Sequence, residues 1–231
     1  MIGRRGEFYW QDSTPFVSVT HIIDTTLAKP QLQYWFGQQV YRAVIADPTM
    51  SEKEALQAPY KVSDKAKARG STVHSILEGY KKGLDLERFL ESVDEQYRGY
   101  ATALWQWVND YQPEFVEHER TVVSRKFGYA GTLDLLAKVG DSLVLIDAKS
   151  GKDIYPNFWL QLCAYRQALR EEGTEVDHMA VLLLKENGNY KYETSNEDLF
   201  RPFFACKVLW DWQNADKMEN LVRHSTRRRS A

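Results

Sequence analysis

The chain has 231 residues, with 30 Lys and Arg against 32 Asp and Glu, a formal net charge of −2. Hydrophobic residues make up 43% and aromatic residues 13%, too apolar a composition for a disordered chain, and the length suits one large domain or a core with an added lobe. No apolar run approaches the ~20 residues of a bilayer span, so no membrane partner is expected. The opening MIGRRGEFYWQDS has no apolar stretch of the secretory kind and carries Glu7 and Asp12, which gives a soluble protein of the cytoplasm, bacterial or of a phage-infected cell. Cys163 and Cys206 belong to no CxxC pair, so a disulfide framework, a zinc ribbon and an iron–sulfur cluster are not expected.

In chain order, Val17 to Ile23 alternates β-branched residues and reads as a short strand, and Gln31 to Ala46 shows apolar residues at helical spacing after the Lys29-Pro30 step. Ser63 is the expected N-cap of a helix reaching Lys82 and ended by Gly83, and Leu86 to Tyr111 reads as a long helical region. The periodicity then changes to that of strands over Glu114 to Ser124, Tyr129 to Val139 and Ser142 to Ser150, separated by tight turns. Asn157 to Glu172 returns to helix, Asp177 to Lys185 is a further apolar strand, Tyr190 to Glu193 pairs back after Asn187-Gly188, and a helix from Asn196 to Arg223 follows. This order predicts an α/β fold of the mixed α+β kind, a mixed central sheet flanked by helices. Residues 1–60 are read as an N-terminal helical accessory part and residues 61–231 as the core with a C-terminal helix and a basic tail.

Charge is unevenly spread. Lys61 to Lys82 holds six Lys or Arg against Asp64 and Glu78, Asp85 to Arg120 holds nine acidic residues against three basic, and four Arg lie in the nine residues from Arg223. A basic run without a basic protein matters where it flanks a site.

The segment SLVLIDAKS leads four apolar residues into Asp147, and alternation puts Asp147 and Lys149 on one face of the strand. A buried Asp and Lys are costly unless paired or used. Asp134, in the neighbouring GTLDLLAK, brings a second carboxylate alongside, and such a pair suits a hard divalent cation such as Mg²⁺ with a lysine beside it. No GxxxxGK[ST] occurs, since Gly151-Lys152 is followed by Asp153, so no ATP site is expected. Gln161 and Tyr165 share a helical face four residues apart, as do Gly70, His74 and Glu78.

The ordered set G-x3-H-x3-E, G-x2-D, D-x-K and Q-x3-Y resembles the PD-(D/E)xK nuclease superfamily, specifically its RecB-like branch, which includes Cas4, the mitochondrial genome maintenance exonuclease and phage-encoded exonucleases. The resemblance covers about residues 65 to 185. It implies a restriction-endonuclease-like core and a metal-dependent DNA exonuclease acting on single-stranded or end-bearing DNA in replication, repair or recombination. The alternatives are a catalytically silent nucleic-acid-binding or recombination-partner protein, and a structure-specific endonuclease. By the same resemblance His74, Asp134, Asp147 and the carbonyl of Ala148 hold Mg²⁺, for which Mn²⁺ substitutes; Lys149 is the catalytic lysine, Gln161 and Tyr165 support it, and Glu119 is the acid of the first core strand. The iron–sulfur cysteines of some members are missing. Lys65, Lys67 and Arg69, on the helix of His74, would track a nucleic-acid backbone, while Tyr155 and Trp159 would stack on bases. A single-strand-binding or recombination protein is a further expected partner.

Overall fold

The computed structural model describes residues 2–83 and 85–227, without the side chains of residues 65–67, 86, 92 and 224–227. Eight strands form one mixed sheet: β1 Ile2–Arg5, β2 Phe8–Gln11, β3 Thr14–Ser18, β4 Glu114–Ser124, β5 Tyr129–Val139, β6 Ser142–Lys149, β7 His178–Leu184 and β8 Tyr190–Ser195. The helices are α1 Val19–Thr26, α2 Pro30–Ala46, α3 Glu52–Lys81, α4 Leu86–Ser92, α5 Arg98–Tyr111, α6 Pro156–Glu171, α7 Phe200–Gln213 and α8 Ala215–Arg227.

The three core strands follow the sequence reading because β-branched and aliphatic residues alternate through them and Gly128 and Gly140 turn the chain with positive φ. Apolar side chains leave the sheet on both faces. One face packs Leu133, Leu136, Leu145 and Val181 against α1, α6 and α7 around Trp210, and the other packs Leu135, Val144, Ile146 and Leu182 against α3, α4 and α5 around Trp107. Trp107 and Trp210 are fully buried.

Residues 2–18, read as part of a helical accessory segment, are instead three antiparallel strands of the main sheet, with β3 parallel to β5. The turn between β2 and β3 is Asp12-Ser13, both with positive φ, a conformation usually signalled by Asn-Gly or Asp-Gly and here carried by residues that hide it. Position 60 is no boundary in secondary structure, because α3 is one helix of 30 residues. It starts at Ser51, whose hydroxyl accepts from the Glu54 N–H while the Glu54 carboxylate accepts from the Ser51 N–H. This capping box outweighs Pro59, which removes one helix hydrogen bond without ending the helix, and Ser63 lies mid-helix. The region from Leu86 to Tyr111 breaks at Val93, where Asp94 caps a short 3-10 turn, and the C-terminal helix breaks at Asn214.

The sheet forks at its centre. On the edge of β5 away from β4, β3 pairs with Tyr129 and Ala130 while β6 pairs with Leu135 to Val139. Residues 131–134 have no strand partner on that edge, and beyond Ile146 strand β6 pairs with β7 rather than with β5. A sheet that divides in this way exposes backbone groups and side chains of two strands in one cleft.

Candidate active site

Asp134 stands at the fork on β5 and Asp147 on β6, 6% and 1% exposed. The Ala148 N–H, facing the fork, donates to Asp134 Oδ2 at 2.9 Å, so the carboxylate satisfies a backbone donor and ties the two strands together. Lys149 Nζ donates to Asp147 Oδ1 at 2.7 Å, and its ammonium lies 5.2 Å from the Phe158 ring. Gln161 Nε2 donates to Asp147 Oδ1 and to the Tyr165 hydroxyl, both at 3.1 Å. The four-residue spacing on α6 therefore turns Gln161 and Tyr165 toward the strand-end lysine and carboxylate.

Gly131 explains part of the G-x2-D pattern. A Cβ there would sit 2.3 Å from Tyr165 Cε1, so the missing side chain makes room for the ring that supports Gln161. Gly70 has no such neighbour; nothing lies within 4 Å of the place its Cβ would take.

The other side of the cleft comes from α3 and β4. His74 Nδ1 is 3.4 Å from Glu119 Oε1 and 3.9 Å from Asp134 Oδ1. Glu119 has φ 50°, left-handed backbone inside a strand, and the ladder pairs His118 with Leu135 and Arg120 with Leu133 but leaves Glu119 and Asp134 unpaired between them. Such a conformation costs a non-glycine residue about 1–3 kcal/mol, a strain that recurs at functional sites. Here it accompanies the approach of the Glu119 carboxylate to His74.

Five buried side-chain atoms among the described residues lack a hydrogen-bond partner, and two of them, His74 Nδ1 and His118 Nε2, belong to this neighbourhood; a third, Asp147 Oδ2, is ion-paired at 2.7 Å with the Lys149 ammonium. Buried polar atoms are normally satisfied, and orphans gathered in one cleft point to an ion or substrate that completes them. A hard divalent cation suits this donor set, in which carboxylates, a carbonyl and an imidazole accompany one another. Among the described residues no three His, Cys, Asp or Glu side chains already form a closed cage, since Asp147 is turned to Lys149. The fit therefore lies in the donor chemistry and the orphaned atoms.

Burial, with the nearby Asp134 carboxylate, pushes the Asp147 carboxyl up to about 7 against the pull of Lys149. Burial acts to lower the Lys149 ammonium, but Asp147 and Asp134 outweigh it and hold the lysine above its usual range, with a further contribution from Asp24 of α1. Burial lowers His118, which keeps its imidazole neutral. It also pushes the Tyr165 phenol far up, so that group remains a neutral hydroxyl.

Of the proposed nucleic-acid contacts, Arg69 is at the mouth of the cleft, where Nε donates to the Ser150 hydroxyl at 3.3 Å. Lys65 and Lys67 lie on α3, with side chains outside the described residues, and Arg228 and Arg229 of the basic tail lie outside the described residues altogether. Tyr155 is exposed and meets Phe158 edge-on at 5.7 Å, beside Lys149. Trp159 is partly buried against the α6 core cluster, so packing uses much of its ring. Glu78 pairs with Lys82 at 2.6 Å rather than reaching the cleft. His118 escaped the sequence reading because strict alternation sends residues 118 and 119 to opposite faces, and the left-handed backbone of Glu119 breaks that alternation.

Among solved structures, the alkaline exonuclease LHK-Exo from Laribacter hongkongensis shares 11% identity with this chain, covering 92% of it and 94% of that chain with a TM-score of 0.48. The same enzyme in complex with dAMP gives 13% identity, the same coverage and a TM-score of 0.47. No curated protein matches the sequence. A family model of the PD-(D/E)XK nuclease superfamily matches residues 49–224, about three quarters of the chain and every position of the cleft described above. The chain therefore belongs to the PD-(D/E)XK nuclease superfamily.

Proposed function

We propose that this protein is a divalent-metal-dependent deoxyribonuclease, using Mg²⁺ with Mn²⁺ as a substitute, that removes nucleotides from single-stranded or end-bearing DNA in replication, repair or recombination. The observation that carries this reading is the cleft at the fork, where two nearly buried carboxylates, a lysine and two unsatisfied buried imidazole nitrogens meet.

In this reading His74, Asp134, Asp147 and the carbonyl of Ala148 hold the metal, with Glu119 beside His74. When bound, the metal supplies charge neutralisation at the scissile phosphate and acidifies the attacking water. The residues of the chain do the rest. Lys149, kept charged by Asp147 and Asp134, donates a hydrogen bond to the phosphoryl oxygen that gains charge as water adds to phosphorus and the ester P–O bond breaks. Gln161 fixes the Asp147 carboxylate from the α6 side, and Tyr165 fixes Gln161. Arg69 and the basic run of α3 draw the phosphate backbone toward the cleft, and Tyr155 offers a ring to a base near Lys149. The accessory part is confined to α2 and the first half of α3, since β1 to β3 and α1 belong to the main sheet and its core.

The test is degradation of end-labelled linear DNA, single-stranded and duplex, with Mg²⁺, Mn²⁺ or EDTA, by wild type and Asp134→Ala. Metal-dependent loss of label, abolished by the substitution, is expected. Sparing of closed circular DNA assigns an exonuclease, and its cleavage assigns an endonuclease. Binding of DNA without cleavage in any metal refutes the enzymatic reading.

A further inference from the structure

Helix α2 does not behave like the other long helices of this fold. None of its 17 residues is buried, although it carries Leu32, Tyr34, Trp35, Phe36, Val40, Tyr41, Val44 and Ile45. Helix α5, with 14 residues, buries six. On one side α2 rests on the first half of α3, where Phe36 meets Tyr60 at 5.5 Å. Positions 34, 38, 41 and 45 repeat at helical spacing along another side, and Tyr34, Tyr41 and Ile45 there are 71%, 68% and 64% exposed. Ordinary surface composition does not put two tyrosines and an isoleucine in a row.

The chemistry of this ridge favours one occupant. From Thr25 to Ala46 the sequence has no acidic residue, while α2 carries Arg42 and four glutamines. The helix thus combines rings, amide donors and a cation along its length, with its nearest acid, Asp47, at the C-cap. Tyr34 and Tyr41, seven residues apart, are about 10.5 Å apart along the axis, close to three stacked-base steps of about 3.4 Å. The partner helix α3 runs without interruption from beneath the ridge to the cleft. From Tyr60 to His74 it spans about 21 Å, roughly six such steps.

We infer that the ridge Tyr34, Gln38 and Tyr41 of α2 is a stacking platform for the bases of single-stranded nucleic acid, holding the strand whose scissile phosphate lies in the fork. The platform rests on the nuclease reading for its orientation toward the cleft, but its binding is measured without catalysis. Tyrosine rings stack on any base, so the platform is tolerant of sequence. Its contribution falls on strands long enough to reach from the fork to α2.

The experiment is fluorescence anisotropy of a labelled 30-nucleotide oligothymidine in EDTA, at fixed salt, with the full chain. Tyr34→Ala and Tyr41→Ala are each expected to weaken binding by about 10-fold and together by about 100-fold. Paired substitution by Phe, which keeps the π face, retains affinity. Paired substitution by Leu, which keeps apolar area alone, loses it as Ala does. Because no residue of α2 is buried, these variants fold, and unchanged circular dichroism and melting confirm it. Wild-type affinity in the Ala or Leu pair overturns the platform, as does a wild type that does not bind the oligonucleotide. Sedimentation provides the other decisive result. Self-association of the wild type that the Ala pair abolishes, with oligonucleotide affinity unchanged, assigns the ridge to an interface between copies instead. Cleavage has no part in these readouts, so a chain that cleaves DNA but binds equally well without the tyrosines sinks the platform alone.

Discussion

Asp147, Lys149, Gln161 and Tyr165 lie between β6 and α6 with their hydrogen bonds made among themselves, whereas His74 and Glu119, across the cleft on α3 and β4, are partly open to solvent and make no hydrogen bond to each other. The first group is held by packing. Gly131 is absent as a side chain so that Tyr165 fits, and the Lys149 ammonium lies over Phe158. The second group is held by strain, with Glu119 in left-handed backbone and His74 Nδ1 unsatisfied. The difference teaches that one half of the cleft has its hydrogen bonds made within the fold, whereas the other half keeps a buried polar atom without a partner.

Substitutions should therefore act differently on the two halves. The largest effect is expected at Lys149. Lys149→Ala removes the cation that the proposed mechanism assigns to the phosphate and should lower cleavage by about 10²–10³-fold, measured at saturating DNA. Gly131→Ala comes next, on stability rather than chemistry. Its Cβ meets the Tyr165 ring at 2.3 Å, and overpacking of this kind costs about 1–3 kcal/mol, a loss of several degrees in Tm by calorimetry. Gly70→Ala, with open space around it, should show no such loss, and equal destabilisation by the two would break the comparison.

A third effect depends on pH. The Asp147 carboxyl, raised to about 7 in the fold, titrates near 4 in the unfolded chain, so the folded state binds more protons between those values. The stability of the metal-free protein should then fall as pH rises from roughly 4 to 7. Asp147→Asn should remove that part of the slope while losing cleavage. A variant that keeps the wild-type slope between pH 4 and 7 would refute the account of this buried carboxyl. The smallest effect is at Glu119. Glu119→Gly relieves the left-handed strain and should melt above Glu119→Ala, by about 1 kcal/mol, and both should cut less DNA than wild type.

The packed half of the cleft was legible in the sequence, because alternation along SLVLIDAKS and the four-residue spacing of Gln161 and Tyr165 are local rules that the fold obeys. The chain of strands and helices from Glu114 to Ser195 was legible for the same reason. Other features depend on conformations that sequence patterns do not announce. Asp12 and Ser13 turn the β2–β3 hairpin without a glycine, the capping box at Ser51 moves the start of α3 ahead of Pro59, and Glu119 breaks the alternation that would have hidden His118. The reason for Gly131 is a contact with a ring 34 positions further along, visible only after folding.

The most direct test of the central claim, that the open half of the cleft is completed by a divalent ion, is calorimetric titration of Mn²⁺ into the metal-free wild type and into His74→Ala and Asp134→Ala. The account predicts saturable binding by the wild type that either substitution weakens severely, with Mg²⁺ competing. Binding that is absent from the wild type, or unchanged in both variants, would contradict it.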